Sequence, residues 1–210
     1  MLWGYNGGVK APPGDYEVVL TANGVTTRKP LRVLPDPRLP HITAADYAEQ
    51  FRVASIVRDS MNTVNKTMQD LRDVRAQMEV LMGAAKRVGA DAALKQQVDS
   101  LAAKMARLEV QFTQTKSRSG QDPIRFAGQI DNQWAELYGN LNGPNGYISG
   151  GTEGRPTKGA AERLGELSVR WEQLRVVWQE VVTKDLPALN ATAKTLNLGG
   201  DRDPQGTVVP

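Results

Sequence analysis

The chain has 210 residues, 40% apolar and 23% charged, and its 26 basic and 23 acidic side chains leave a net charge of +3. With no cysteine and a single histidine it has no disulfide, no thiolate metal site and no helical pair of Glu-x-x-His motifs. No run reaches the roughly 18–20 apolar residues of a membrane span, and charges of both signs are interleaved, as in Asp70-Leu71-Arg72-Asp73-Val74-Arg75, which argues against a one-sided nucleic-acid footprint.

Residues 1–40 read as β structure and linker. Tyr16, Val18 and Leu20 alternate with Glu17, Val19 and Thr21, the period of a strand with one buried face. Asn23-Gly24 is a strong hairpin signal, because a type I′ turn needs positive φ at both central residues. On the returning strand, Val25 to Leu34, Leu31 and Val33 are expected to share that buried face. Pro35, Pro37 and Pro40 then stop the sheet and form a stiff linker.

Residues 41–198 read as helices. Thr43 is the expected N-cap of the first, with Asp46 at the capping-box position. Val57, Met61, Val64, Met68, Leu71, Val74, Met78, Leu81, Ala85 and Val88 recur at three- and four-residue steps, a near coiled-coil seam. Gly89 is read as its C-cap. Leu94, Val98, Leu101, Met105, Leu108 and Phe112 continue the spacing in a second helix starting near Asp91, which the short connection returns antiparallel. A third helix is expected from Pro123, with Ile130, Trp134, Leu137 and Leu141 as its seam and Tyr138 beside it. A glycine-rich loop spans 142–156. Thr157 is expected to cap the last helix, whose seam is Leu164, Leu167, Trp171, Leu174, Trp178 and Val181, and Pro187 to kink or restart it. Residues 199–210 read as a frayed tail. The expected fold class is mainly α: a short hairpin followed by an antiparallel bundle of three to four long helices.

Taken together, Trp3-Gly4, Pro13-Gly14-Asp15-Tyr16, the Asn23-Gly24 hairpin and Val33-Leu34-Pro35-Asp36-Pro37-Arg38 resemble the end of the Ig-like domain of bacterial sortilin-like, BNR-repeat proteins, often labelled glycosyl hydrolases. Gln121-Asp122-Pro123-Ile124-Arg125, Pro156-Thr157 and Asp185-Leu186-Pro187-Ala188-Leu189-Asn190 resemble the helical segment that follows it in that family. The resemblance implies that the hairpin is the remnant of a sandwich and that this is the C-terminal region of a larger protein. It also implies a periplasmic or extracellular place if the precursor is exported, although no leader is visible after Met1. The family's propeller has no counterpart in the sequence, so no sugar or peptide chemistry is carried onto any residue.

The residues themselves assign no catalytic, cofactor or metal site. His41 lies in the linker, and no G-x-S-x-G nucleophile elbow accompanies it. Asp70, Asp73 and Glu79 fall on polar helix faces, as surface pairs rather than a glycosidase dyad. Gly154 is followed by Arg155-Pro156 and not by the Lys of a phosphate loop. Trp134, Trp171 and Trp178 sit at core spacing rather than forming a sugar platform, and each needs a partner for its indole N–H. Met61, Met68, Met78 and Met82 read as gap-filling core. The expected function is a non-catalytic structural or interaction module whose β segment is completed by another chain, the same or different. Its candidate contacts are Trp3, Tyr5, Tyr16, Val18, Leu20, Leu31, Val33, Tyr147 and Ile148. The alternatives are an accessory fragment of a propeller enzyme, inert alone, and a small-ligand site between the third and fourth helices near the glycine-rich loop.

Overall fold

The computed structural model describes residues 8–119, 122–142 and 153–198. Asn23 and Gly24 have φ of 50° and 79°, the two positive values a type I′ turn requires. The turn joins β1 (Gly14–Ala22) to β2 (Val25–Val33) in a two-stranded antiparallel sheet. It also sets the register, which pairs Tyr16 with Leu31, Val18 with Lys29 and Ala22 with Val25.

Helix α1 (Ala44–Arg87) begins with the expected box. The Thr43 backbone N–H and hydroxyl both donate to Oδ2 of Asp46, at 3.0 and 2.6 Å, and Asp46 N–H donates back to the Thr43 hydroxyl at 3.3 Å. From Val57 to Ala85 every seam residue is buried. Val88 is not: it lies beyond the last helical turn and is 66% exposed, a correction to the seam. The helix stops there because Gly89 adopts φ 71°, which lets Ala90 N–H reach back to Ala85 O at 2.9 Å. Helix α2 (Asp91–Phe112) buries all six of its seam residues.

The third helix starts later than expected. Asp122–Ile124 makes a single 3₁₀ turn, and α3 spans only Ile130–Leu141. The Asp122 carboxylate is engaged by the backbone N–H groups of Arg118 and Ser119, which closes the loop on itself. Residues 125–129, Gly128 among them, are non-helical. Helix α4 (Lys158–Glu180) starts at Thr157, whose hydroxyl accepts the Ala160 N–H at 3.2 Å. Its helical run continues through a π turn, Val181–Asp185, into α5 (Leu186–Thr195). Pro187 has no N–H to give the preceding turn and its ring crowds the carbonyl four residues back. The π turn accommodates it: Leu186 N–H bonds Val181 O, five residues back. The fold class is thus mainly α, a hairpin followed by helices.

The chain divides into two compact units, with boundaries inside α1, α3 and α4. One contains Met61–Gln133 and the chain from Glu166 onward. Its core includes Leu71, Leu94, Met105, Phe112, Leu167, Trp171 and Leu189, and the Phe112 and Trp171 rings meet at 5.8 Å and 55°. Beside that core Glu109 accepts from Arg72 at 3.2 Å and Arg75 at 2.7 Å. Burial pushes its carboxyl up, but the two guanidinium groups outweigh burial and hold it below its ordinary value.

The other unit comprises Gly4–Ser60 and Trp134–Gly165. It buries Val57, Trp134, Tyr138, Leu141 and Tyr47. The three tryptophans Trp134, Trp171 and Trp178 are all buried, which removes them as an exposed stacking platform. One expectation about them fails: Trp134 Nε1 is buried without a hydrogen-bond partner among the described residues.

Candidate functional site

Side chains directly opposite in an antiparallel pair point to the same side of the sheet. The register therefore gathers Tyr16, Val18, Leu20, Leu31 and Val33 on one face, as the alternation predicts. It adds Ala22 and Val25, which the sequence reading missed, and places Lys29 and Thr27 among them. Counting outward from Asn23-Gly24 would have found all four. The opposite face is mostly polar, with Val19 and Pro30 as its apolar members. Arg32 pairs with Asp15 at 3.6 Å, Arg28 pairs with Glu17, and the Thr21 and Thr26 hydroxyls meet at 3.0 Å.

The expected burial of the apolar face is corrected by the structure. Tyr16 is 37% exposed, Leu31 47%, Val18 50%, Leu20 65% and Val25 67%. Only Val33, at the foot of the hairpin, is half-buried. The reason is a missing layer: two strands cannot fold over themselves, and no described element covers this side. Trp3, Tyr5, Tyr147 and Ile148, the other candidate contacts, lie outside the described residues, as do most of the glycine-rich loop and the tail.

The foot of the hairpin is held firmly, which fixes the direction of its exposed part. The Tyr16 hydroxyl donates to Pro12 O at 2.6 Å. Lys10 N–H donates to the Asn142 side-chain oxygen at 2.7 Å, and Asn142 Nδ2 donates to Gly8 O at 3.1 Å. Lys10 and Glu153 form an ion pair. On the β2 side Asp36 accepts from the backbone N–H of Arg38 and from its guanidinium, at 2.9 and 2.6 Å. The side-chain bond from Arg38, then the backbone bond, brings the Asp36 carboxyl down to about 2.

Buried Gln50 ties three segments together. Its Nε2 donates to Leu141 O at 2.7 Å, and its Oε1 accepts Gly154 N–H at 2.8 Å. Gly154 has φ 103°, and a Cβ there would sit 3.0 Å from Cδ1 of Ile42. Arg155 Nε meets Oδ1 of Asp46 at 2.9 Å. A cleft of about 480 Å³ lies beside these contacts, lined by Pro12, Pro13, Val33, Pro37, Phe51 and Tyr47 among others. Tyr47 is 6% exposed, and its hydroxyl is buried without a hydrogen-bond partner among the described residues.

The polar groups elsewhere do not converge. His41 is exposed in the linker, and Asp70 is engaged by Lys66 at 2.8 Å on α1. No cluster of three potential metal-ligating side chains occurs among the described residues. No described helix is long and apolar enough to cross a membrane. The chain matches no protein-family model, no curated protein and no solved structure.

Proposed function

We propose that this chain is a non-catalytic interaction module that docks onto another chain through its hairpin. One observation carries the reading: a sheet tied down at its foot presents Tyr16, Val18, Leu20, Val25 and Leu31 on one uncovered face, with a mostly polar face behind that carries only Val19 and Pro30 as apolar members. Burying a side chain of that size stabilises by roughly 1.5–3 kcal/mol, so a partner that covers several of them gains substantially. The sandwich-like strand pattern suits a partner surface that is itself β structure. If the chain is the C-terminal region of a sortilin-like protein, as its motifs suggest, a preceding sandwich would be another source of such strands.

Sedimentation equilibrium of the whole chain against Leu20→Asp/Leu31→Asp tests the docking reading. Both positions are exposed, so the fold is expected to survive while association is lost. Association that persists in the double variant contradicts docking through this face.

A second reading, small-ligand binding, is favoured by the cleft, which Tyr47 helps to line. Its test is the stability of Tyr47→Phe, given in the Discussion.

A further inference from the structure

We infer that β1 is a self-pairing edge: two copies of this chain join β1 to β1 antiparallel, about a two-fold axis at Val18, into one four-stranded sheet. The inference rests on the reading above that the hairpin docks onto another chain: it names a second copy as that chain and the β1 edge, beside the apolar face, as the line of contact. In a hairpin closed by a two-residue turn the flanking pair, Ala22 with Val25, is hydrogen-bonded, and the pairs alternate from there. Gly14, Tyr16, Val18 and Leu20 therefore bond inward to β2. Asp15, Glu17, Val19 and Thr21 aim their N–H and C=O groups outward. On β2 the outward set is Thr26, Arg28, Pro30 and Arg32.

The two edges differ in what they offer a second copy. With the axis at Val18, the central residue of β1, Glu17 opposes Val19 of the second copy and Asp15 opposes its Thr21. Every outward group finds a partner, no like charges stand directly opposite, and the two Glu17 side chains, which meet only diagonally, are each paired to Arg28 of their own hairpin. On the apolar side Tyr16 opposes Leu20 of the second copy, and Val18 opposes Val18. The same operation on β2 places the axis at Lys29 and sets two ammonium groups face to face. It also loses a donor at each Pro30, which has no N–H. Moving the β1 axis to Glu17 opposes two carboxylates, and moving it to Val19 leaves part of each strand unpaired. Charge and hydrogen bonding thus agree on one edge and one register. The β2 edge carries the proline and the cations that discourage strand addition.

The absence of cysteine from the sequence makes the test clean. Val18 opposite Val18 is a non-hydrogen-bonded pair, with Cα atoms about 4.5 Å apart. That lies within the roughly 4.4–6.8 Å range a disulfide spans. Val18→Cys, mildly oxidised, is expected to run at twice the monomer mass on a non-reducing gel, and Lys29→Cys is expected to stay monomeric. In a second variant, Val19→Pro deletes an outward N–H without touching the β1–β2 ladder, and self-association in sedimentation is expected to fall. If the wild type associates through the hairpin face but Val18→Cys stays monomeric, the edge and register are wrong and the docking reading stands. A monomeric wild type at high concentration overturns the second copy as occupant. Equal cross-linking of Lys29→Cys overturns the choice of β1.

Discussion

Tyr16 stands directly opposite Leu31 across the hairpin, and both side chains remain more than a third exposed. Cross-strand aromatic–aliphatic pairs of this kind stabilise sheets by packing against a covering layer as well as against each other. Here the pair is formed and the layer is missing. The mostly polar face behind it has its charges matched in cis, Arg32 to Asp15 and Arg28 to Glu17. The apolar face is the unfinished side of the molecule.

The start of α1 depends on one carboxylate serving two partners. The Thr43 hydroxyl bond, then the Arg155 guanidinium, lowers the Asp46 carboxyl from 3.8 to about 2. A depressed acid contributes stability that is complete above its unfolded value, near pH 4, and is lost as pH falls through 2. The thermal midpoint of the wild type is expected to fall across that window, and Asp46→Asn to show a lower midpoint at neutral pH with a flatter profile between pH 4 and 2. Thr43→Ala should cost about 1 kcal/mol in urea unfolding, the usual loss of an N-cap. An unchanged profile in Asp46→Asn would assign the acid sensitivity elsewhere.

Gly154→Ala tests the tie between Gln50 and the segment ahead of α4. The new Cβ meets Ile42 at 3.0 Å and the backbone holds φ at 103°, so a loss of about 1–3 kcal/mol is expected. Adding Ile42→Val should recover only the steric part. Full recovery in a double-mutant cycle would show that the backbone carries no strain.

Trp171 packs against Phe112 and is almost completely buried. Trp171→Ala is expected to cost about 3–5 kcal/mol in urea denaturation. A loss below about 1 kcal/mol would place the ring at a surface, contrary to the packing described.

The Tyr47 hydroxyl gives a test of the opposite sign. A buried donor without a partner costs about 1–3 kcal/mol, so Tyr47→Phe is expected to stabilise the protein. Destabilisation by Tyr47→Phe would mean that the hydroxyl has a partner in solution, and would favour a small ligand in the cleft.

Local chemistry was legible in the sequence wherever one residue type dictates one conformation. Asn23-Gly24 fixed the turn and hence the register, Thr43 and Asp46 fixed the start of α1, and Gly89 fixed its end. The seams of α1 and α2 were legible because their spacing repeats without interruption. The start of α3 was not, because Asp122 bonds to backbone groups ahead of it and Pro123 alone reads the same in a 3₁₀ turn as in a helix. The π turn before Pro187 was seen only as a kink, since sequence marks the proline and not the way the preceding turns absorb it. Of the candidate surface, the hairpin residues were legible by alternation. Tyr47, Gln50 and Asn142 were not, because their roles come from contacts between segments far apart in the chain.

Hydrogen exchange at the outward-facing β1 amides of Glu17, Val19 and Thr21, followed across protein concentration, tests the central claim most directly. If another copy completes the hairpin, these amides exchange freely in dilute protein and become protected as the chain associates, while the inward amides of Val18 and Leu20 are protected throughout. Protection of Glu17, Val19 and Thr21 in a chain that sediments as a monomer, or free exchange at every concentration, would contradict it.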